Sequence, residues 1–136
     1  MSSWHIFDKD LQDLGTKGLV FKALNLNGCN FIGNGGVISL LKSNPEIQEI
    51  NISSCLHLSD ALFTTTKLDL SALKKVNVSN CPLITDIGVV AIVKECRSLQ
   101  TFLIKNNQSL TDKGLIALCA NVTSSKSLNE LGKILG

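Results

Sequence analysis

The chain has 136 residues, 44% of them hydrophobic and 18% charged, with a formal net charge of +2. That is enough apolar chain for one domain with its own core, and it excludes a disordered or linker-like segment. So slight a charge makes no case for nucleic acid or anionic lipid as partners, both of which call for concentrated Lys and Arg.

No apolar run approaches the roughly 20 residues of a membrane-spanning helix, and runs such as Val89 to Val93 are core-sized. The opening MSSWHIFDKD has neither the apolar stretch of a signal peptide nor the Arg-rich, acid-poor character of a transit sequence. Five cysteines, an odd number without an export signal, point to free thiols in a reducing compartment. The cytoplasm or nucleus is therefore the expected location. The Asn-x-Ser/Thr tripeptides at Asn51, Asn77, Asn107 and Asn121 are accordingly not read as glycosylation sites.

In chain order, the first element expected is a helix within residues 6–21, carrying Ile6, Asp8, Leu11, Leu14 and Phe21. Those residues match Ile32, Asn34, Val37, Leu40 and Ile47, each 26 positions on, so residues 1–22 read as the second half of a repeating unit. Full units follow from about residues 23, 49, 75 and 101. Leu24, Ile50, Val76 and Phe102 form one column at the 26-residue spacing, and Leu26, Ile52, Val78 and Ile104 a second. Cys29, Cys55, Cys81 and Asn107 form a third, Ile32, Leu58, Ile84 and Leu110 a fourth, and Asn34, Asp60, Asp86 and Asp112 a fifth. An unbroken register of this kind marks a solenoid.

Each unit opens with Leu-x-Leu-x-x-Cys or its equivalent, whose period of two predicts a strand with one buried side. Thr85-Asp86 and Thr111-Asp112 then predict helix starts, with Thr as N-cap and Asp in the first turn. Val89, Ile92, Val93 and Cys96, and again Leu115, Leu118 and Cys119, recur at helical spacing. The second full unit departs from this pattern: it has Leu62, Phe63, three threonines at 64–66, and Lys67 in the column of Leu41 and Val93. β-Branched residues in series weaken a helix, so a short or distorted one is expected there. At the end, Ser127-Leu-Asn-Glu130 reads as a capping box opening a closing helix over about 127–135, with Leu128, Leu131, Ile134 and Leu135 inward. No unit can bury its apolar side alone. The expected product is one α/β solenoid domain over residues 1–136, an arc with parallel strands on the concave face and helices on the convex face.

The unit NCPLITDIGVVAIVKECRSLQ, Asn80 to Gln100, resembles the cysteine-containing class of leucine-rich repeats: Cys81, Ile84, Thr85, Asp86, Gly88, Ile92, Cys96 and Leu99 all fall on its pattern. The next unit keeps Leu110, Thr111, Asp112, Gly114 and Leu118, while GNGGVISLLKSNPEIQEINI leans toward the ribonuclease-inhibitor style of repeat. The resemblance implies a leucine-rich-repeat arc serving as a non-enzymatic module that binds another protein. This class is best known from F-box/leucine-rich-repeat proteins, which present substrates to a ubiquitin ligase, and it also resembles mitotic-exit regulators and cytoskeletal, ciliary or organellar assembly subunits. An F-box needs a run of helices ahead of the repeats, so the ubiquitin-ligase alternative implies a chain that is a fragment of something longer. The assembly alternative implies stacking or self-association through the open N-terminal side, where the Leu24 strand is an edge.

The residues themselves offer little for catalysis. Cys29, Cys55 and Cys81 would lie in a row at the spacing of adjacent strands, about 5 Å, whereas zinc needs four converging ligands. Asn107 completes their column and cannot replace a thiolate, so the four read as a structural ladder bonded to turn backbone, with no metal and no cofactor. Cys96 and Cys119 read as small apolar helix residues. His5 and His57 lack any partner at triad spacing. Asp60, Asp86 and Asp112 read as helix-start residues, and Gly33, Gly35 and Gly36 as turn glycines without the Lys-Ser/Thr of a phosphate loop. What remains is surface. The outward strand positions are Asn25, Asn27, Asn51, Ser53, Asn77, Ser79, Leu103 and Lys105. Their Asn25-Asn51-Asn77 column is read either as amides bonded to one another along the stack or as part of a partner-binding face. Phe31, His57 and Leu83 form a second candidate row on the rim after the strands.

Overall fold

A computed structural model describes residues 6–64 and 68–125. Among these residues five helices alternate with four strands: α1 (Asp8–Thr16), β1 (Ala23–Asn25), α2 (Asn34–Lys42), β2 (Glu49–Asn51), α3 (Ala61–Thr64), β3 (Lys75–Asn77), α4 (Asp86–Glu95), β4 (Thr101–Leu103) and α5 (Asp112–Ser125). The strands form one parallel sheet in chain order, β1-β2-β3-β4. Its register is the repeat itself: Leu24 pairs with Ile50, Ile50 with Val76, and Val76 with Phe102. Each helix packs on the next, from α1 through α5.

The core lies between the two layers and is built by columns. Ile50, Val76 and Phe102 are buried under the sheet, with Leu26, Ile52 and Val78 beside them and Ile32, Leu58 and Ile84 at the turn. The helices and their ends add Leu11, Val37, Leu40, Phe63, Val89, Ile92, Cys96 and Leu118. No single repeat encloses this core; each residue is covered by its counterparts one repeat away, which is why the stack is cooperative.

The sheet continues past each strand through a left-handed residue. Gly28, Ser54, Asn80 and Asn106 occupy one column, with φ between 58° and 74°. Their backbone N–H groups reach the next repeat: Gly28 to the Ser53 carbonyl, Ser54 to that of Ser79 and Asn80 to that of Lys105, each at 2.9 Å. Glycine, and to a lesser degree Asn, adopts this conformation readily; Ser does so against a steric penalty.

The helix side is less regular. α2 and α4 run for nine and ten residues, whereas α3 is described over Ala61–Thr64, with the threonine-rich continuation at 65–67 outside the described residues. Lys67 and the closing helix expected at about 127–135 lie outside the described residues.

Candidate functional site

The cysteine column sits at the corner between strand and helix. The Cys55 thiol donates to the Leu26 carbonyl at 3.0 Å and Cys81 to the Ile52 carbonyl at 3.1 Å. Asn107 does the same through Nδ2, 2.9 Å from the Val78 carbonyl, and its Oδ1 also accepts the Cys81 N–H at 2.9 Å. Each of these side chains ties its corner to the backbone one repeat earlier. Burial pushes the Cys29 and Cys81 thiols up and carries Cys55 and Cys96 to about 12. A protonated thiol is the form that can donate, whereas a nucleophile or metal ligand must be the thiolate. Among the described residues no group of three or more His, Cys, Asp or Glu is placed to hold a metal ion.

A second set of links joins the helix starts. Asp60 Oδ1 accepts the Thr85 N–H at 2.8 Å while Oδ2 accepts the Thr85 hydroxyl. Asp86 grips Thr111 in the same way, with the N–H at 2.9 Å. Asp8 accepts the Gly33 N–H at 2.7 Å. Thr85 then caps its own helix, accepting the Ile87 N–H at 3.2 Å. The acidic column therefore does more than begin its own helices: Asp60 and Asp86 hold the N-cap residue of the following repeat. The Thr111 hydroxyl, ahead of its backbone N–H, pulls the Asp86 carboxyl below its usual range.

This grip explains the glycines. A Cβ on Gly36 would come within 2.7 Å of Asp8 Oδ1 and 2.9 Å of its Cα, and one on Gly88 would run into Asp60 Oδ1. The reading of Gly33, Gly35 and Gly36 as turn glycines is thus corrected. Gly33 is the N-cap of α2, and Gly35 and Gly36 lie in its first turn, where Gly36 makes room for the preceding acid. At one boundary both partners change together: Asn34 replaces the acid and Leu62 the glycine. There the Asn34 amide donates to Ser59 Oγ at 2.8 Å and accepts its N–H at 3.1 Å.

The concave sheet forms an open groove of about 330 Å³, lined by the strands from Ala23 to Leu103. Asn25, Asn51 and Asn77 line it, but they do not bond to one another along the stack. Each Oδ1 instead accepts the N–H two residues on, from Asn27, Ser53 and Ser79, at 3.0 Å in every case. The reason is local: a side-chain carbonyl reaches its own turn with less ordering than its neighbour's amide. Leu103 closes the row, and Glu49 and Lys75 pair across adjacent strands at 3.6 Å.

Asn27, Ser53, Ser79 and Lys105 stand in the turn after each strand rather than in the strand. Ser53 and Ser79 are 4% and 7% exposed, which corrects their reading as outward contact residues. Their short hydroxyls fold into the turn. Ser53 Oγ accepts from Asn27 Nδ2 and donates to Asn51 Oδ1 at 2.6 Å, and Ser79 Oγ accepts the Lys105 N–H at 3.0 Å. On the rim, Phe31 and Leu83 are 52% and 48% exposed, and His57 is exposed between them. Sequence reasoning missed two members of this row: Leu56, which is exposed, and Phe7, whose ring lies 5.3 Å from that of Phe31. Phe7 stands 26 residues before Gly33, so no apolar column pointed to it.

The described residues include no helix long and apolar enough to cross a membrane. A family model described as a leucine-rich repeat matches residues 19–41, 70–93 and 95–119, together more than half of the chain. The chain is also similar to an F-box protein of Arabidopsis thaliana, 34% identical over 70 residues, which are 51% of this chain and 18% of that protein. It therefore spans under a fifth of that relative's length. With its repeats matched in three places and its strands and helices alternating at the same period, the chain belongs to the leucine-rich-repeat family.

Proposed function

We propose that this chain is a non-enzymatic protein-interaction module that takes a partner protein along the concave groove and the adjoining rim. Membership of the leucine-rich-repeat family supports the general reading. The observation that carries the finer one is the exposed apolar row of Phe7, Phe31, Leu56 and Leu83 beside an open groove. Apolar groups that a monomer leaves in water as a row favour a partner's surface. Docking there needs shape and hydrogen bonding and no covalent step.

The test is a photoreactive residue placed in turn at Asn77 in the groove, Leu83 on the rim and Val90 on the exposed helix side, followed by crosslinking in the native cell. The expected result is one protein captured from Asn77 and Leu83 and absent from Val90. Capture from Val90 alone would overturn the assignment of the surface.

The similarity to an F-box protein favours a second reading, in which these repeats are the substrate-recognition part of a ubiquitin-ligase adaptor. It requires an F-box in the same reading frame and co-purification with ligase components; a full reading frame without one removes it. The outer edge of β1, which has no strand paired beyond it among the described residues, supports a third reading as an assembly subunit. Light scattering that shows a monomer at every concentration would remove self-association.

A further inference from the structure

At the N-terminal side of the stack the two layers end differently. In the helix layer, α2, α4 and α5 turn small residues to the helix before them: Gly36 and Ser39, Gly88 and Ala91, Gly114 and Ala117. Those glycines lie against the acid of the preceding repeat, Asp8, Asp60 and Asp86. α1 carries Asp10 and Asp13 in the same two columns, both exposed. A helix packed there would bury two carboxylates, so this layer is closed to a further neighbour. The sheet layer is open. In later repeats the N–H groups of Gln48 and Glu49, of Lys74 and Lys75, and of Gln100 and Thr101 donate to the repeat before, and the carbonyls of Asn51 and Ser53, and of Asn77 and Ser79, accept from it. Their counterparts on β1 are the N–H groups of Lys22 and Ala23 and the carbonyls of Asn25 and Asn27, which no described residue takes. Apolar surface adjoins them. Leu24 is half-buried, whereas Ile50, Val76 and Phe102 in its column are fully covered. Val20, 74% exposed, stands in a column whose other members are Glu46, Ala72 and Ser98.

We infer that the outer edge of β1 docks a lone extended segment of a partner protein, added to the sheet as a further strand without a helix, with alternate apolar residues covering Leu24 and Val20. The inference rests on the assembly reading above and names what the open edge takes. In strand addition, main-chain hydrogen bonds give affinity and alternate side chains give specificity. The docked strand continues an interface the molecule already uses three times, from β1 to β4. The closed helix layer selects the occupant. A second copy stacked end to end would bring its α5 onto Asp10 and Asp13, and one paired edge to edge would set its own Asp10 and Asp13 against them. A single strand meets neither.

The experiment uses the full chain, labelled with nitrogen-15, and two synthetic peptides of equal length, one alternating Val and Lys, the other alternating Thr and Lys. The Val peptide is expected to shift the backbone N–H signals of Lys22 and Ala23 and to protect them from exchange, and the Thr peptide, of the same shape without the apolar face, to bind roughly tenfold more weakly. Ala23→Pro removes an outward N–H and leaves the bonds between β1 and β2 in place, as proline does on an edge strand. It is expected to weaken binding of the Val peptide roughly tenfold. Equal binding of the two peptides, shifts at Phe102 and Leu103 instead of Lys22 and Ala23, or undiminished binding by folded Ala23→Pro would each overturn the inference. Should that variant fail to fold, Val20→Ser, at an exposed position, takes its place with the same expected weakening. Light scattering of the unaltered chain is expected to show a monomer; self-association that Ala23→Pro abolishes would put a second copy on the edge and overturn the inference. A photoreactive residue at Val20 separates it from the assembly reading: a protein captured there while the Val peptide fails removes the lone strand and leaves that reading, and failure of both removes both.

Discussion

On the strand side, the repeats are held by the same few devices, the corner residue in all four and each of the side-chain links in three. A left-handed corner residue, an Asn oxygen folded back on its own turn, and a Cys or Asn donating to the previous repeat recur from one unit to the next. On the helix side the same period is kept with far more latitude. Two boundaries use an Asp gripping Thr over a glycine, and one uses Asn34 gripping Ser59 over Leu62. The difference has a physical source. Strand backbones must hydrogen-bond one another at a fixed spacing, so their corners have one geometry, whereas helices satisfy their own backbone and need only fill volume against a neighbour.

The largest test of that contrast is Leu62→Gly, which restores the glycine of the other repeats. If the helix side obeyed a strict pattern the change would stabilise. Leu62 is fully buried, so a loss of about 4 kcal/mol is expected in denaturant unfolding. A stabilised variant would show that Leu62 is a defect rather than a replacement.

On the strand side, Asn107→Ala leaves the buried Cys81 N–H and Val78 carbonyl without this partner. A loss of about 2 to 3 kcal/mol is expected, measured against Asn107→Cys, which restores a donor and recovers part of it. Gly88→Ala is expected to destabilise by about 1 to 2 kcal/mol, because the added methyl displaces the Asp60 carboxylate. The same change should matter less once Asp60→Ala is in place, and strict additivity of the two would contradict the contact. Ser54→Gly should stabilise by up to about 1 kcal/mol, since Ser54 holds φ at 58° where Gly28 stands in the same column.

The smallest effect is in pH. The folded Asp86 carboxyl lies below its usual 3.8, with the Thr111 hydroxyl as the main cause. Its contribution to stability is therefore complete above the unfolded value and is lost as pH falls through the lower folded one. Asp86→Asn, which can still pair as Asn34 does with Ser59, should give a flatter acid limb. Superimposable acid limbs would contradict the link.

Much of the fold was legible because each column repeats one chemical demand at one spacing. The strands and their order followed from Leu24, Ile50, Val76 and Phe102. The site was less legible. Alternation alone placed Ser53 and Ser79 outward, and it does not see that a short hydroxyl beyond the strand end folds into the turn. An Asn column looks the same whether its oxygens face a neighbour or their own backbone. Two further signals lie in the residues themselves: Gly28, Asn80 and Asn106 in one column mark a left-handed corner, and the joint change of Asp to Asn34 and Gly to Leu62 marks a contact between repeats.

The most direct test of the contrast between the two sides is amide hydrogen exchange along the second full repeat. The Ile52 and Ser54 N–H groups, bonded to Asn77 and Ser79, should be protected as strongly as those of Val78 and Asn80. Leu62 and Phe63, in α3 of the same repeat, should exchange much faster. Exchange of Ile52 and Ser54 at the rate of Leu62 and Phe63 would contradict it, because the strand face would then share the irregularity of the helix behind it.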